Sequence, residues 1–405
     1  AGQEIYLQNG DDPSLRGFLV EVGSGGTATN LGEVIATRGN ATLVGLAVNQ
    51  SGRVSATTSA TLNGSIKLLA RDTKQKDKDN KITASNTAAR GRVDENGKPL
   101  QDVILGAHSE TSVTPELESG LTSADSQKFL KSQIDIYGHS IQVQDNATVR
   151  ATSGTINFTA ANNPTSEQFT VATPERASDI HVYFAPGSVV DVSGTQNVTL
   201  AMESNSIQAN LQGAQLADAP LQHNGFLKGK TVWVDVRQTA DGKLSVADVS
   251  GYLGQIQRTV GERTTTGGTV NIRSEGDIVT RAGSRIDVSG GSVRYKDGFV
   301  KSTQLTSQGK LFDITNAPAN RIYDGIAGVY TVTDPKWGVT RSWSPLGAQI
   351  GHYETGYVEG KAAGTLAYQG FAYALDGQIV GQTTIGERQQ ASGNLPKAGT
   401  LQFGK

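Results

Sequence analysis

The sequence contains no cysteine, a single methionine and few aromatic residues. Without cysteine the chain can form neither a disulfide framework nor a thiolate metal centre. A run of 18 apolar residues is also missing, which argues against a transmembrane helix. The formal net charge is only −2 and no long basic run occurs, so neither nucleic acid nor an anionic membrane surface is expected as the main partner.

Glycine and β-branched residues are abundant instead. Glycine supplies 49 of the 405 residues, about 12% against a usual share of about 7%. Small residues permit tight turns, and β-branched residues favour strands. This composition is typical of a β-rich chain with many short turns and a narrow core.

Residues 267 to 291 set the pattern for the rest of the chain. Ile278 lies six residues after Ile272 and eight before Ile286. This spacing is too short for a helical crossover between parallel strands, so it fits either a hairpin meander or a solenoid of stacked coils. Apolar pairs with period two place both members on one face of a short strand: Val270 with Ile272, and Ile286 with Val288.

Internal self-similarity favours the solenoid. The phrase Gly187-Ser-Val-Val-Asp-Val-Ser-Gly194 reappears as Gly283-Ser-Arg-Ile-Asp-Val-Ser-Gly290. Short strands that recur in this way are characteristic of repeat architectures. We therefore predict an all-β fold, a parallel β-helix with three strands per coil. Each coil should take roughly 20 to 25 residues and stack at about 4.8 Å on the next.

The repeat is interrupted, which divides the chain into four regions. We predict β-helix coils with loop excursions over 1–201, an extra-helical insertion over 202–266, and coils again over 267–310. A β-rich aromatic region over 311–405 continues or flanks the solenoid. Within the insertion, alternation predicts a strand and a helical stripe predicts one short helix: Val232, Val234 and Val236 for the strand, and Val249, Leu253, Ile256 and Val260 for the helix.

Several short sequence segments resemble those of a known family. They include Leu62-Asn-Gly-Ser-Ile-Lys-Leu-Leu-Ala-Arg-Asp72, Ser112-Val-Thr-Pro-Glu116, Lys336-Trp-Gly-Val339 and Tyr357-Val-Glu-Gly-Lys361. With them most of the chain resembles the filamentous-haemagglutinin-like family, the TpsA exoproteins of bacterial two-partner secretion.

The resemblance implies a right-handed β-helix and an adhesin, secreted or on the cell surface of a Gram-negative bacterium. It also implies export through an outer-membrane transporter of the TpsB type, and host-cell or matrix glycans or proteins as partners. The Asn-Pro-Asn-Leu-like motif of the family's secretion domain is missing, and Asn163-Pro164-Thr165 departs from it. We therefore expect this piece to lie downstream of that domain.

The aromatic residues of the last region are the candidate binding site. Tyrosine and tryptophan rings stack on sugar rings, and their polar ends suit a wet site. The candidate carbohydrate-contacting residues are Trp337, Trp343, Tyr353 and Tyr357. The alternative interpretation is that these rings form the small core of the region.

No other motif predicts a site. Asp77-Lys-Asp-Asn80 lacks the glycine and distal glutamate of a calcium loop, and the five histidines are scattered, so no metal or cofactor is expected. Asp191 and Asp287 occupy the same position of two repeats, which indicates a turn or a ladder position rather than catalysis. The predicted function is an adhesin stalk without enzyme activity. The alternatives are a β-helix polysaccharide-degrading enzyme and the shaft of a contact-dependent toxin-delivery exoprotein.

Overall fold

The computed structural model describes residues 27–70, 102–161, 180–239, 241–327, 334, 336–339 and 351–404 with their side chains. It gives the backbone alone for 5–8, 17–22, 75–76, 82–83, 330–333 and 340–343. The predicted loop at Asp77–Asn80 and the phrase Asn163–Thr165 lie outside the described residues.

Three long sheets dominate the structure, which has 46% strand and 8% helix. The nine-stranded sheet A contains Ile5–Gln8, Gly17–Val22, Asn40–Gly45, Ser65–Ala70, Gln133–Gly138, Thr155–Ala160, Thr269–Ser274, Thr365–Gln369 and Thr400–Gly404. The seven-stranded sheet B contains Thr27–Asn30, Ala47–Gln50, Asp102–Leu105, Ser140–Val143, His181–Phe184, Asp277–Thr280 and Ala372–Leu375. Sheet C, also seven-stranded, contains Glu33–Ala36, Arg53–Thr58, Glu110–Pro115, Thr148–Ala151, Val189–Asp191, Arg285–Asp287 and Gln378–Val380.

The strands of these sheets pair in parallel, apart from the first two strands of sheet A. Successive strands along the chain enter different sheets, so each uninterrupted coil supplies one strand to each. Side chains one coil apart meet after 20, 22 or 25 residues, as Asn30 meets Gln50, Asp135 meets Asn157, and Asn40 meets Ser65. The predicted parallel solenoid and its coil length are therefore confirmed for these coils.

The solenoid core follows from alternation along the strands. In Thr155–Ala160 every second side chain is buried, and the same holds for Gln133–Gly138. Ile272, Ile286 and Val288 are buried as the period-two pattern predicts, whereas Arg285 is exposed. At about 25 cal/mol per Å² of apolar surface, these rows of Ile, Val, Leu and Ala stabilise the stacked coils.

A column of glycines allows neighbouring coils to approach at one corner. Gly154, Gly268 and Gly364 precede successive strands of sheet A and lie one above another. A Cβ atom on Gly268 would overlap the backbone of Gly154, and one on Gly364 would overlap the carbonyl of Gly268. The glycines at the start of the repeated stretch are therefore required by close backbone contact.

A second core lies outside the solenoid, in the insertion predicted at 202–266. The strands Ser206–Asn210 and Thr231–Asp235 pair antiparallel, and Val232 and Val234 are buried as the alternation predicts. Val236, predicted to belong to this strand, instead begins the helical segment Val236–Gln238 and is half-buried. The helical stripe instead forms two separate turns, Ser250–Leu253 and Val260–Arg263, with the strand Gln257–Thr259 between them. Thr259 accepts a hydrogen bond from the Glu262 N–H in a capping box, so a new helix begins there and the first does not continue.

The second core also takes residues from beyond the insertion. Leu305, Ile314 and Tyr323 pack with Val232 and Val234. The strands Gln304–Ser307, Lys310–Asp313 and Gly325–Ile326 form a small antiparallel sheet here, although coils were expected as far as residue 310. The coils resume at Thr365–Gln369, inside the region predicted to be aromatic and β-rich.

The remaining elements are short. The other strands are Gln75–Lys76, Ile82–Thr83, Thr122–Ala124, Val198–Leu200, Ser292–Tyr295, Gly298–Val300, Tyr330–Thr333, Thr340–Trp343, His352–Glu354 and Tyr357–Gly360. The other helical segments are Met202–Asn205, Pro220–His223, Val236–Gln238 and Glu387–Ser392. Within the described part of the chain, no helix is long and apolar enough to cross a membrane.

Candidate functional site

A polar cleft of about 500 Å³ lies where several segments outside the regular coils meet. We call it the insertion cleft. It is lined by Asp125, Phe129, Leu200, Ser204, Asn205, Val236, Arg237, Arg258, Glu262, Arg263, Thr265, Thr266, Val293, Tyr295, Glu359 and Lys361. Its volume falls in the range of small-molecule sites, which is about 300 to 1,000 Å³.

One wall of the cleft is a three-stranded sheet of Val198–Leu200, Ser292–Tyr295 and Tyr357–Gly360. Tyr295 lies opposite Leu200 on one side and opposite Tyr357 on the other. The two tyrosine rings are stacked, with centroids 4.6 Å apart and planes inclined by 19°. The cleft therefore has an aromatic surface on one side.

The facing wall comes from the insertion and from the excursion that follows Pro115. Strand Gln257–Thr259 pairs antiparallel with Thr122–Ala124, and this pairing brings Arg258 near Asp125. The Arg258 guanidinium lies 3.1 Å from the Glu262 carboxylate and 3.8 Å from that of Asp125. Arg258 is therefore neutralised by two carboxylates of the cleft itself.

The guanidinium of Arg263 contacts backbone carbonyl groups and an aromatic ring, unlike that of Arg258. Its Nη2 donates hydrogen bonds to the carbonyl oxygens of Ser123 and Ala124, and its guanidinium carbon is 5.7 Å from the centre of the Phe129 ring. The Nε–H is buried and has no hydrogen-bond partner among the described residues. A guanidinium offers five N–H donors, so that of Arg263 is incompletely satisfied.

The other cations of the cleft are paired with carboxylates. The Lys361 ammonium lies 2.6 Å from Glu359. Arg237 lies 2.7 Å from the fully buried Asp235 and 2.8 Å from Glu354. Among the described residues, Arg263 is thus the cation of the lining for which no carboxylate partner is seen.

An ion cluster borders the cleft at Glu354. This carboxylate accepts hydrogen bonds from Arg237 and Arg388, and the His352 ring nitrogen lies 2.7 Å from it. The hydrogen bond from Arg237 is the main cause that lowers the pKa of Glu354 to about 2, against the opposing effect of burial. Burial disfavours the charged guanidinium of Arg237, but hydrogen bonds to Asp235 and Glu354 outweigh it and raise its pKa.

Tyr357 joins this ion cluster to the cleft. The Arg388 guanidinium lies over its ring, 3.9 Å from the centroid, in a cation–π contact. Burial raises the pKa of Tyr357 and also that of Tyr295, so both hydroxyls are protonated at neutral pH. Both are neutral hydrogen-bonding groups, and the Tyr357 hydroxyl is engaged by the Arg237 guanidinium.

The four residues predicted to contact carbohydrate lie in two places. Tyr353 and Tyr357 flank Glu354; Tyr353 is 55% exposed and meets Phe299 edge to face at 5.4 Å. Trp337 is 71% exposed at the turn between Tyr330–Thr333 and Thr340–Trp343, with the Lys336 ammonium 5.4 Å from its ring centre. Trp343 lies opposite Tyr330 in that hairpin, and its side chain is outside the described residues.

Tyr357 contacts Arg388 of the ion cluster, whereas Tyr353 contacts Phe299. No described contact joins Tyr353 to Tyr357, or Trp337 to either of them. Sequence reasoning missed Tyr295, Arg258 and Arg263 as site residues. A local signal existed for part of this wall, since Thr259 and Glu262 are spaced as in a capping box. The contact of Arg263 with Ala124 spans 139 residues and left no local signal.

The repeated aspartates end their strands and occupy a ladder position, which is one of the two predicted alternatives. Asp191 lies opposite Asp287 on adjacent strands of sheet C. Each accepts a backbone N–H two residues further on, from Ser193 and Ser289, at 2.9 Å. In the described part of the chain, no group of three or more His, Asp or Glu side chains is placed to hold a metal ion.

Comparison with known proteins gives no assignment: the sequence matches no protein-family model, and neither the curated proteins nor the solved structures contain a significant match.

Proposed function

We propose that this chain is part of a secreted or cell-surface adhesin of the filamentous-haemagglutinin-like kind, in which the solenoid is a stalk and the segments outside the coils recognise glycans. The observation that carries the proposal is the location of the insertion cleft. Its aromatic and charged side chains come from segments outside the three long sheets, while the coils provide a rigid support.

The outer faces of the coils support a scaffold role. The side-chain amide of Asn271 donates to Asn157 at 2.8 Å, and that of Asn157 donates to Asp135 at 2.7 Å. This ladder borders a groove of about 400 Å³ on sheet A, but its amides already bond one another from coil to coil. Such a ladder stabilises stacking and offers few free groups to a ligand.

The proposal includes a right-handed winding of the coils. Crossovers between parallel strands of one sheet are right-handed in about 98% of cases, and the family that the sequence resembles winds in that direction. The proposal also includes export through a TpsB-type transporter and a location on a Gram-negative cell.

The proposal contains no enzyme activity. The repeated aspartates bond their own turns, and the carboxylates of the cleft are each bonded to a cation. Neutral and acidic polysaccharides incubated with the protein should yield no new reducing ends and no unsaturated products. Cleavage of one substrate that disappears in a single Asp or Glu variant would favour the polysaccharide-degrading alternative.

Adhesion tests the proposal directly. Beads coated with the folded protein should adhere to surfaces carrying glycans or matrix polysaccharide, and beads coated with the heat-unfolded protein should not. The Trp337→Ala, Trp343→Ala double variant tests whether the hairpin contributes. Absence of adhesion to every glycan surface by the folded protein would contradict an adhesive role for this chain.

A further inference from the structure

We propose that the insertion cleft binds a carboxylated sugar, a uronic acid residue of an acidic polysaccharide, with Arg263 facing the carboxylate and the Tyr295 wall facing the ring. This inference rests on the proposed function, because it assigns a ligand class to the site that the adhesin would display.

The guanidinium of Arg263 differs from the other three cations of the lining, because no carboxylate partner is seen for it among the described residues. The lining contains four cationic side chains and three carboxylates. Arg258 and Lys361 are bonded to carboxylates of the lining itself, and Arg237 is bonded to Asp235 and Glu354 outside it. The guanidinium of Arg263 instead touches peptide carbonyls and the Phe129 ring, which leave its charge without a counter-charge among the described residues.

A carboxylate is the anion that fits this balance. The guanidinium of Arg263 has no carboxylate partner among the described residues, and a carboxylate would bring a single negative charge to it. A phosphate or sulfate group with more charge, or several such groups, would meet Glu262, Glu359 and Asp125 on the same walls. Like charges in a partly buried site repel, so densely charged ligands are disfavoured.

The remaining surface of the cleft fits a sugar ring. Tyr295 presents an aromatic side chain to the cleft and is supported from behind by its stack on Tyr357. The lining also contains the neutral hydroxyl groups of Thr265, Thr266 and Ser204. Those of Thr265 and Ser204 donate to the carbonyl oxygens of Glu262 and Ala201, so they can accept from a sugar hydroxyl. The cleft therefore offers an aromatic face to the sugar ring, hydroxyl groups to the sugar oxygens and a cation to the carboxylate. Such a combination of groups can orient a small ligand.

Calorimetric titration of the folded chain with trigalacturonate and with the neutral galactose trisaccharide tests the inference. The acidic trisaccharide should bind at least tenfold more tightly than the neutral one, and added salt should reduce this difference. Equal affinity for the two trisaccharides, or no binding of trigalacturonate, overturns the inference.

Variants locate the site. Arg263→Gln should weaken trigalacturonate binding about tenfold and leave binding of the neutral sugar unchanged, whereas Arg263→Lys should retain part of the difference. The matched control is Arg294→Gln, because Arg294 is exposed and precedes Tyr295 on the same strand. Equal losses in Arg263→Gln and Arg294→Gln would contradict the assignment.

The experiments distinguish an effect on folding from an effect on binding, and the ligand class from the adhesive function. If Arg263→Gln lowers the melting temperature sharply, the comparison of the two trisaccharides on the parent protein and its salt dependence still decide the ligand class. Adhesion of the folded protein without uronate binding overturns the ligand class and leaves the adhesin proposal intact. Uronate binding without adhesion supports the ligand class and contradicts the adhesin.

Discussion

Tyr295 and Tyr357 lie opposite each other on antiparallel strands, and their rings stack at 4.6 Å. The Tyr295 ring lines the insertion cleft, and the Tyr357 ring contacts the guanidinium of Arg388, which also binds Glu354. The stack therefore connects one wall of the insertion cleft to an ion cluster that involves the insertion, through Arg237, and the segment after residue 351. The stability of that cluster should determine the integrity of the cleft.

Glu354→Gln should destabilise the region around the cleft and make its stability less sensitive to acid. Because the pKa of Glu354 is lowered to about 2 from 4.5, its stabilising effect is complete above about pH 4.5 and is lost as the pH falls towards 2. We expect a loss of roughly 1 to 2 kcal/mol, since solvent screens part of the cluster. Thermal melts between pH 6 and pH 2 measure it. An unchanged acid profile in the variant would contradict the role of Glu354.

Ile286→Asp should lower the melting temperature sharply, whereas Arg285→Ala should change it little. Ile286 is buried in the solenoid core, and burial of such a side chain contributes about 1.5 to 3 kcal/mol. A charge at that position adds a desolvation cost. Arg285 is exposed, and its partner Asp287 retains its bond to the Ser289 N–H. Equal tolerance at the two positions would refute the strand register.

Gly268→Ala should destabilise the solenoid by more than 1 kcal/mol, because a Cβ atom there overlaps the backbone of Gly154 in the neighbouring coil. The matched control is Gly251→Ala. A Cβ atom on Gly251 meets nothing within 4 Å, and this glycine lies in a helical turn, so the substitution should be neutral or stabilising by up to about 1 kcal/mol. Chemical denaturation compares the two. Similar free energies of unfolding would show that the glycine column is dispensable.

Tyr368→Phe should leave the protein as stable as before, or more so. The Tyr368 hydroxyl is buried in the solenoid and has no hydrogen-bond partner in the part of the chain that the structure describes, while its ring stacks on Phe403 at 5.5 Å. Removal of an unpaired buried hydroxyl relieves a desolvation cost. Tyr373→Phe is the contrasting variant, since its hydroxyl accepts from the Gly370 N–H and donates to the Gly404 carbonyl; it should cost about 0.5 to 1.5 kcal/mol. The opposite ranking in thermal melts would contradict the assignment.

The sequence predicted the coils because their pattern is local. In the strand Arg285–Asp287, the period-two pattern of apolar residues identifies the inward-facing side chain. The end of the strand is marked by Asp287, whose carboxylate accepts a hydrogen bond from the backbone N–H two residues further on. The insertion cleft could not be predicted in this way. Arg263 meets Ala124 across 139 residues, and residue type alone selected Trp337, which lies at an exposed hairpin turn. The end of the interruption also differs from the prediction, because Leu305 and Ile314 join a core most of whose residues lie between 207 and 256.

Adhesion of matched variants tests most directly whether recognition lies in the insertion cleft or on the coils. Arg263→Gln alters the cleft, and Arg273→Gln alters an exposed position on the outer face of sheet A. With both variants folded, we measure the adhesion of protein-coated beads to surfaces carrying acidic polysaccharide. The account predicts that Arg263→Gln reduces adhesion severalfold and that Arg273→Gln adheres like the parent protein. Full adhesion of Arg263→Gln together with loss of adhesion in Arg273→Gln would place recognition on the coil face and contradict the account.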